Sequence, residues 1–290
     1  MTYLLGIDTG GTYTDAILLD DDAGMVIARA KALTTRPDLS TGIGAAIDAV
    51  MAQSGVGPSD VSMVSLSTTL ATNALVEGQG GRVALVFIGF DESELKKADL
   101  TDAMNGDPVI FAQGGHNHAG TAIADLNTDA ILVALESLTV KISGVAIASR
   151  FATRNPSHEI AVRNVVRDAL GLPVTCSHEL SQALGGPKRA LTAVLNARLI
   201  GLIDRLIAAT EAHIAALGID ARLMVVRGDG ALISARLARA RPIETILSGP
   251  AASIAGAQWL TGAKNALVSD IGGTTTDICV LKDGVPKIDP

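Results

Sequence analysis

GIDTGGTYTD, running from Gly6 to Asp15, is one of two matching stretches that decide our interpretation of the fold. The other is VSDIGGTTTD, from Val268 to Asp277. Apolar residues that suit β-strands flank both stretches, so each predicts a strand, a tight turn and a second strand. Six residues recur 262 positions later in the same order: Asp8, Gly10, Gly11, Thr12, Thr14 and Asp15 return as Asp270, Gly272, Gly273, Thr274, Thr276 and Asp277. The chain therefore contains an internal repeat.

A Gly-Gly turn of this kind has two interpretations. Taken alone, it is an ordinary β-hairpin turn of type I′ or II′, in which Gly-Gly is common. Alternatively, the glycines allow positive φ and let a ligand approach the backbone, so that N–H groups converge on a phosphate. The threonine hydroxyl adds a donor, and the preceding aspartate can hold Mg²⁺ directly or through water. Because a hairpin alone needs no paired aspartates and threonines, the two matched copies favour a two-part phosphate clamp.

The composition predicts an α/β protein long enough for two domains. The 290 residues are 48% hydrophobic but only 2% aromatic, and 30 are glycines, which suits a sheet covered by closely packed helices. A net charge of −7 argues against a nucleic-acid surface. Cys176 and Cys279 are isolated thiols without metal-ligand spacing, which indicates a reducing compartment. The start of the chain lacks a basic, signal-like segment, and the most apolar stretch, Leu191 to Leu217, carries charges, so we expect no membrane span and a cytoplasmic location.

The segments that follow the first stretch predict the opening of a ribonuclease-H-like half. Met25 to Ala32 reads as a third strand, and Gly42 to Met51 as a short amphipathic helix that Gly55 ends. The longest helical pattern, Pro187 to Leu217, is expected to link the two halves. Ser248 is the expected cap of a later helix rich in small residues.

Thr68 and Thr69 begin the predicted helix TTLATNALVE, which follows a predicted buried strand. One interpretation is that they cap this helix. The other is that the helix N-terminus faces the ligand opening, where its free N–H groups would favour an anion. The sequence supports both interpretations equally.

The stretch QGGHNHAG, from Gln113 to Gly120, predicts a flexible polar loop. His116 and His118 would need further ligands to bind a metal ion, and the sequence names none. A solvent-exposed, glycine-rich loop is the favoured interpretation, and a loop that contacts a substrate is the alternative.

Arg150 stands just beyond the predicted strand Ile142 to Ala148. Ligands of α/β sheets bind at the carboxyl ends of strands, so Arg150 is a candidate contact for a substrate or a phosphate. The next helix begins at NPSHE, with a proline in its first turn and Glu159 near the positive end of its dipole. His158 in the same motif is more simply a cap or core residue than a catalytic one.

With these motifs in place, the chain resembles the actin-like ATPase superfamily, which includes actin, sugar kinases and heat-shock chaperones. The two phosphate turns carry this resemblance, and they specify only the superfamily. Within it, further motifs are similar to those of the hydantoinase A / 5-oxoprolinase family: TTLATNAL from Thr68, NPSHE from Asn155, LNA from Leu195 and LSGPAA from Leu247. The similarity spans nearly the whole chain.

The resemblance implies a ribonuclease-H-like, actin-type ATPase fold that uses ATP and Mg²⁺. It further implies that the γ-phosphoryl group activates the carbonyl oxygen of a cyclic amide, such as hydantoin or 5-oxoproline, so that water opens the ring. Asp8 and Asp270 would hold the metal ion or orient the attacking group, as the candidate catalytic residues. The phosphates would be held by Gly10, Gly11, Thr12, Gly272, Gly273 and Thr274. The candidate substrate contacts are Thr68, Thr69, Asn73, His116 and Arg150.

Other functions fit the same fold, because the fold does not determine the chemistry. One is a non-hydrolytic ATP-binding subunit that regulates or assembles a complex, and another is a small-molecule kinase. A second hydantoinase subunit is the expected protein partner of the ring-opening enzyme. Nucleic acid and membranes are not expected partners.

The chain also departs from the usual pattern of the family. Leu66-Ser67 replaces His-Gly, Gly186 to Arg189 replaces Glu-Tyr-Glu-Arg, and Gly228 to Ala231 replaces a Ser-Asn/Asp-Gly-Gly turn. We therefore expect an intact nucleotide site and an altered substrate side. Residues 1–262 are expected to form a first ATPase domain with an inserted α/β subdomain. Residues 263–290 are expected to begin a second domain, which is truncated or completed by a partner polypeptide.

Overall fold

A computed structural model of the chain describes residues 2–35, 38–78, 80–272 and 276–286. The chain divides into two compact units. We call Met1–Gly78 together with Ile203–Pro290 the terminal unit, and Gln79–Leu202 the inserted unit. The domain boundary expected at residue 263 stays a prediction.

The elements alternate between strands and helices along most of the chain. The strands are β1 (Tyr3–Thr9), β2 (Tyr13–Asp20), β3 (Met25–Leu33), β4 (Val61–Thr68), β5 (Val83–Ile88), β6 (Val109–Ala112), β7 (Gly144–Ser149), β8 (Val174–Cys176), β9 (Arg222–Val226), β10 (Leu232–Ser234), β11 (Ala266–Ile271), β12 (Thr276–Lys282) and β13 (Val285–Pro286). The α-helices are α1 (Leu39–Ser54), α2 (Leu70–Val76), α3 (Glu92–Leu95), α4 (Leu100–Met104), α5 (Thr128–Glu136), α6 (Ser157–Leu170), α7 (Ser177–Leu180), α8 (Gly186–Ala216), α9 (Ala235–Ala240) and α10 (Ser248–Thr261). Short 3₁₀ helices span Pro58–Asp60 and Pro242–Thr245.

The main sheet of the terminal unit has the strand order β10-β9-β4-β1-β2-β3. The strands β1, β2 and β3 form an antiparallel meander, and β4 lies parallel to β1 on its other side. This arrangement confirms the predicted opening of three strands and a helix. Helix α1 is longer than expected, because the Asp38 side chain accepts from the Ser40 N–H at its start. It ends at Gly55, which adopts left-handed backbone with φ of 67°.

The core of the terminal unit lies between this sheet and α1. Alternate residues of β1 point inward, with Leu5 fully buried and Ile7 nearly so. Ile43, Ile47 and Val50 lie on one face of α1 and are also fully buried. Each such side chain contributes about 1.5–3 kcal/mol to the free energy of unfolding.

The sheet of the inserted unit has the order β6-β5-β7-β8, and all its neighbouring strands are parallel. Alternate residues of β5 face opposite sides. Val83, Leu85 and Phe87 pack in one cluster with residues of α4 and α8. Ala84, Val86 and Ile88 pack in another with residues of α5 and α6. The inserted unit is therefore a three-layer sandwich with helices on both faces of a parallel sheet.

Several details differ from the sequence-based expectations. The segment from Asp91 to Asp107, for which no helix was predicted, contains the short helices α3 and α4. The long helix is confirmed as α8, and the strands β11, β12 and β13 form a separate antiparallel sheet. Across the described ranges, no helix combines the length and the apolar character that a membrane crossing requires.

Candidate functional site

The first glycine turn closes the hairpin between β1 and β2. The register pairs Thr9 with Thr14, so the loop runs from Gly10 to Tyr13, and the Gly10 N–H donates to the Tyr13 carbonyl oxygen at 2.9 Å. A two-residue type I′ or II′ turn is therefore not formed, and neither Gly10 nor Gly11 adopts left-handed backbone. Gly10 is needed for a different reason. A Cβ at this position would lie 3.0 Å from the Tyr13 carbonyl oxygen.

The second hairpin, between β11 and β12, has the same register as the first. Asp270 pairs with Asp277, as Asp8 pairs with Asp15. In both hairpins the aspartate pair is one position further from the loop than the last strand pair, which is Thr9 with Thr14 in the first hairpin and Ile271 with Thr276 in the second. The internal repeat of the sequence is thus also a repeat of strand pairing.

The structure describes four of the six glycines and threonines that were assigned to the phosphates. Gly10, Gly11 and Thr12 are half-buried at the first turn, and Gly272 is exposed at the second. Gly273 and Thr274 lie outside the described residues. Their assignment to a phosphate stays a prediction.

Asp8 lies at the end of β1, beside Ser67 of the parallel strand β4. The Ser67 hydroxyl donates to Asp8 Oδ1 at 2.6 Å. Burial raises the pKa of the Asp8 carboxyl above its ordinary value, and this hydrogen bond opposes the effect. The negative charges of Asp15 and Asp270 raise the same pKa further. The two repeats therefore bring their first aspartates close enough to repel one another.

Asp270 has its own hydroxyl partner, because the Ser253 Oγ of α10 donates to Asp270 Oδ2 at 2.5 Å. Each first aspartate of the repeat is thus held by a serine from a neighbouring element. Two carboxylates that repel one another suit a divalent cation with oxygen ligands, such as Mg²⁺.

Thr68 is fully buried, and its hydroxyl and backbone together connect three segments. It donates to the Thr9 carbonyl oxygen at 2.8 Å and accepts from the Leu70 N–H at 3.0 Å. The Ser248 hydroxyl donates to the Thr68 carbonyl oxygen at 2.9 Å and accepts from the Thr68 N–H at 3.1 Å. Ser248 is therefore not the helix cap expected from the sequence, because it is the first residue of α10 and bonds β4 instead.

Thr69 lies between the first turn and the start of α10. A Cβ at Gly249 would come 2.7 Å from Thr69 Cγ2 and 3.6 Å from Asp8 Oδ1, so only glycine fits there without displacement. Thr69 Oγ1 would lie 3.8 Å from a Cβ at Gly10. Asn73 lies one helical turn further along α2, where its N–H donates to the Thr69 carbonyl oxygen.

Arg150 follows β7 in the inserted unit. Its backbone N–H donates to the Ile88 carbonyl oxygen at 3.0 Å, and its side-chain Nε donates to the Gly89 carbonyl oxygen at 2.8 Å. The guanidinium carbon stands 5.2 Å from the centre of the Phe90 ring. Arg150 is therefore held at the carboxyl ends of β5 and β7, as its sequence position predicts.

His116 does not lie in an exposed loop, which corrects the favoured interpretation of this segment. The His116 side chain is 1% exposed, because its ring packs 4.3 Å from the ring of His158. The backbone N–H of His116 donates to the Arg150 carbonyl oxygen. The Ser157 hydroxyl lies 3.3 Å from His116 Nε2. His118, by contrast, is exposed. Burial lowers the pKa of both His116 and His158, and each ring is expected to be neutral at pH 7.

Glu159 of the NPSHE motif is fully buried and accepts several hydrogen bonds. Its Oε1 accepts from the Ser149 N–H at 2.7 Å and the Ser177 hydroxyl at 2.6 Å. Its Oε2 accepts from the His178 N–H at 3.1 Å and from His178 Nδ1 at 2.6 Å. Arg189 donates to the Ser149 carbonyl oxygen at 2.8 Å and to the Ser177 hydroxyl at 3.3 Å. Glu159 therefore joins the ends of β7 and β8, a role beyond the helix-dipole contact expected from the sequence.

Glu159, Cys176 and His178 could each offer one ligand atom to a metal ion, and these atoms lie within 4.8 Å of one another. Two observations favour hydrogen bonding over metal binding. Both Glu159 oxygens already accept two donors each, and burial raises the pKa of the Cys176 thiol, which keeps it protonated. The Cys176 thiol instead donates to the main-chain carbonyl oxygen of Glu159 at 3.6 Å.

The structure thus separates the candidate residues into two groups. Asp8, Gly10, Thr68, Thr69 and Asp270 belong to the terminal unit, whereas His116 and Arg150 belong to the inserted unit. Sequence reasoning missed the roles of Ser67, Gly249 and Glu159. The LSGPAA and NPSHE motifs contained two of these residues, but no spacing in them indicates the distant strands that they contact.

Comparisons with known proteins agree with this architecture. The family model described as "Hydantoinase/oxoprolinase N-terminal region" matches residues 4–170, and the one described as "Hydantoinase/oxoprolinase" matches residues 189–290. The chain is 30% identical to caprolactamase subunit alpha of Pseudomonas jessenii, over 97% of this chain and 44% of that protein. It is 26% identical to the acetophenone carboxylase gamma subunit of Aromatoleum aromaticum, over 96% of this chain and 42% of that protein.

Solved structures show the same fold. The nucleotide-free structure of acetone carboxylase superposes with a TM-score of 0.78 at 22% identity, over 98% of this chain and 45% of the other. The ATP-dependent caprolactamase of Pseudomonas jessenii superposes with a TM-score of 0.76 at 29% identity, over 96% of this chain and 43% of the other. The chain spans less than half the length of these relatives. It belongs to the hydantoinase/oxoprolinase family and has the ribonuclease-H-like, actin-type fold that its two glycine turns predict.

Proposed function

We propose that the chain carries the nucleotide-binding part of an ATP-dependent enzyme that opens a cyclic amide. The observation that carries this proposal is the pair of hairpins with one register, which bring the charges of Asp8 and Asp270 together. The caprolactamase to which the chain is similar is named as ATP-dependent. This supports a nucleotide as the ligand of the hairpins.

The residues present fit a magnesium ion. Burial and two like charges raise the pKa of Asp8, so a divalent cation would relieve an unfavourable negative charge.

Each residue has a distinct proposed role. When bound, MgATP would supply the phosphoryl group that activates a carbonyl oxygen toward water. Asp8 and Asp270 would hold the cation, directly or through water, while Ser67 and Ser253 orient their carboxylates. The phosphates would be held by Gly10, Gly11, Thr12, Gly272, Gly273 and Thr274. We further propose Thr69 and Asn73 as substrate contacts, whereas the hydroxyl of Thr68 is already engaged.

A second candidate reaction is carboxylation of a ketone. Relatives named for acetone and acetophenone carboxylation support it. Caprolactam, acetone and acetophenone all contain a carbonyl group, so activation of a carbonyl oxygen is compatible with each name. Several relatives are also named as subunits, which supports our proposal of a second polypeptide as partner.

The test is ADP release by the protein at its natural length, purified with any subunit that accompanies it. Caprolactam, hydantoin and 5-oxoproline would be compared with acetone and acetophenone plus bicarbonate, each with and without Mg²⁺. We expect at least one cyclic amide to stimulate ADP release in a Mg²⁺-dependent manner. Stimulation only by a ketone with bicarbonate would favour carboxylation. A stable phosphorylated product would identify a kinase, and nucleotide binding without any stimulation would favour a regulatory subunit.

A further inference from the structure

The parallel sheet of the inserted unit reverses its direction of winding between β5 and β7. From β5 the chain moves to β6 on one side, and then crosses to β7 on the other side and on to β8. In open parallel sheets, ligands bind outside the carboxyl ends of the two strands where this reversal occurs. The ends of β5 and β7 therefore mark a position for a ligand.

An open cleft of ≈ 450 Å³ lies at this position. Its lining includes Gly89 and Phe90 after β5, Gln113 and Gly114 after β6, and Arg150 after β7. Residues that follow three parallel strands thus converge on one cleft. A volume of this size accommodates a small organic molecule.

Arg150 is the positively charged group of the cleft. Among the described residues, Nε donates to the Gly89 carbonyl oxygen at 2.8 Å, whereas Nη2 approaches Glu94 Oε1 only to 3.9 Å. The Phe90 ring lies 5.2 Å away and supports one face of the guanidinium. The side chain is 40% exposed. Its outer nitrogens are therefore held in place and accessible to a ligand.

The other walls of the cleft are mainly apolar. Phe90, Phe111, Ala112, Ile123 and Ala124 all contribute to the lining. Phe111 and Ile123 are 37% and 56% exposed, so both leave apolar surface open to the cleft. A ligand with an apolar body would cover these surfaces.

Two backbone N–H groups beside Arg150 already have partners. The Gly89 N–H donates to the Ala112 carbonyl oxygen, and the Gly115 N–H donates to His158 Nδ1. These N–H groups are therefore not available to a multiply charged anion. With a single guanidinium and the acidic Glu94 nearby, the cleft suits one negative charge.

We propose that this cleft binds a small organic monocarboxylate, whose carboxylate accepts hydrogen bonds from Arg150 and whose apolar body packs on Phe90, Phe111 and Ile123. The site lies wholly in the inserted unit and does not depend on the proposed ATP-dependent reaction. It adds a ligand site to the one formed by the hairpins.

Neighbouring residues fix the Arg150 and Phe90 side chains for this role. Glu159 binds the N–H of Ser149 and Arg189 binds its carbonyl oxygen, so the residue before Arg150 is held on both sides. A Cβ at Gly186 would lie 2.3 Å from Phe90 Cζ, so this glycine makes room for the ring. Gly186 begins the segment that departs from the usual family pattern, and the departure thus coincides with the cleft.

The experiment is isothermal titration calorimetry of the 290-residue chain with hexanoate, hexanamide and inorganic phosphate. Arg150→Met removes the charge and keeps an unbranched apolar side chain, and Ala124→Phe fills the cleft without changing charge. Arg154→Met is the matched control, because Arg154 is exposed, lies four positions away and does not line the cleft. Thermal unfolding of each variant verifies that it folds.

We expect hexanoate to bind the natural sequence and hexanamide to bind much more weakly. Loss of a charge-assisted hydrogen bond in Arg150→Met should raise the Kd for hexanoate about ten- to hundredfold, and Ala124→Phe should weaken binding similarly. Arg154→Met should leave the Kd within about twofold. The proposal is overturned if hexanoate does not bind, if hexanamide binds equally well, or if both arginine variants weaken binding equally. Phosphate binding that depends on Arg150, without hexanoate binding, would assign the cleft to a different anion.

Discussion

Glu159 is a fully buried acidic residue and Asp8 is a partly buried one, and their surroundings are opposite. Glu159 accepts hydrogen bonds from Ser149, Ser177 and His178, two on each oxygen. For Asp8, the described residues supply the Ser67 hydroxyl as a donor, and Asp15 and Asp270 add negative charge nearby. The Glu159 carboxylate thus accepts four hydrogen bonds from the protein, whereas Asp8 accepts one from the Ser67 hydroxyl.

The difference indicates two kinds of function. A buried carboxylate with a complete set of donors stabilises the structure around it, and its ionised form needs no further ligand. A carboxylate with few donors and like charges nearby gains from a cation. The comparison therefore indicates a structural role for Glu159 in the inserted unit and supports the proposed role of Asp8 in ligand binding.

The largest expected effect is the loss of ATP turnover when Asp8 or Asp270 is replaced by alanine. Each substitution removes a proposed metal ligand, and we expect turnover by the natural-length protein to fall about 1,000-fold or more, by analogy with the loss of an electrostatic group at an active site. The measurement is steady-state ADP release, with circular dichroism to verify folding. Asp220→Ala, an exposed aspartate of the same unit, serves as control. Turnover at the natural level in either variant would contradict the metal assignment.

Glu159→Gln should cause the next largest effect, on stability. A glutamine cannot accept all four hydrogen bonds, and Arg189 would lose a nearby opposite charge, so the free energy of unfolding should fall by about 3–5 kcal/mol. Urea unfolding measures this change. Glu136→Gln, on the exposed surface of α5, should change it by about 0.5 kcal/mol or less. Equal stability of the two variants would show that Glu159 is not the structural carboxylate.

Asp8→Asn should raise the free energy of unfolding in the absence of divalent cations, whereas Glu159→Gln should lower it. The amide still accepts from Ser67 and carries no charge, so the free energy of unfolding should be higher than that of the natural sequence near pH 7. Because the folded-state pKa is raised, ionisation of Asp8 destabilises the fold only above its ordinary pKa of about 3.9. The gain should therefore disappear at lower pH. Urea unfolding in EDTA at several pH values tests this, and a variant less stable than the natural sequence at pH 7 would contradict it.

The smallest effect concerns the packed pair formed by His116, which is buried, and His158, which is partly buried. Burial lowers the pKa of both rings, with Asp125 partly opposing this at His158. The unfolded chain then binds protons that the folded chain does not, so stability is complete above the ordinary pKa of about 6.5 and is lost as the pH falls through it.

His158→Gln keeps an acceptor for the Gly115 N–H and removes one of these titrations. Between about pH 7.5 and 5.5, the natural sequence should lose more free energy of unfolding than this variant. His118→Gln, at an exposed position of the loop that contains His116, should preserve the natural pH dependence. Identical pH profiles for the natural sequence and His158→Gln would contradict the expectation.

Local sequence patterns predicted many of the strands and helices, and the resemblance to a known family implied how they assemble into the fold. The glycine turns and their apolar flanks predicted both hairpins, because strand pairing next to a tight turn depends on adjacent residues. The parallel strands β5 and β7 were predictable as continuous apolar runs, and the position of Arg150 followed from the end of one of them. Both predictions needed only a few consecutive residues.

The parts that could not be predicted depend on contacts between distant segments. Glu159 obtains its donors from Ser149 and from Ser177 and His178, and no pattern within NPSHE indicates them. His116 lies in a stretch with the composition of an exposed loop, and it is buried because the His158 ring packs against it. Polar residues of this kind acquire their roles from tertiary packing, which a single sequence does not display.

The hydrogen bonds of Glu159 have a consequence for how the inserted unit folds. An intermediate with Glu159 buried but without β7 or the start of α7 would leave a charge without its donors, at a cost of several kcal/mol. These segments are therefore expected to order together in one cooperative step rather than in succession. The Ser149 amide hydrogen should then exchange only when the whole inserted unit unfolds. Its exchange rate would therefore report the unfolding of that unit.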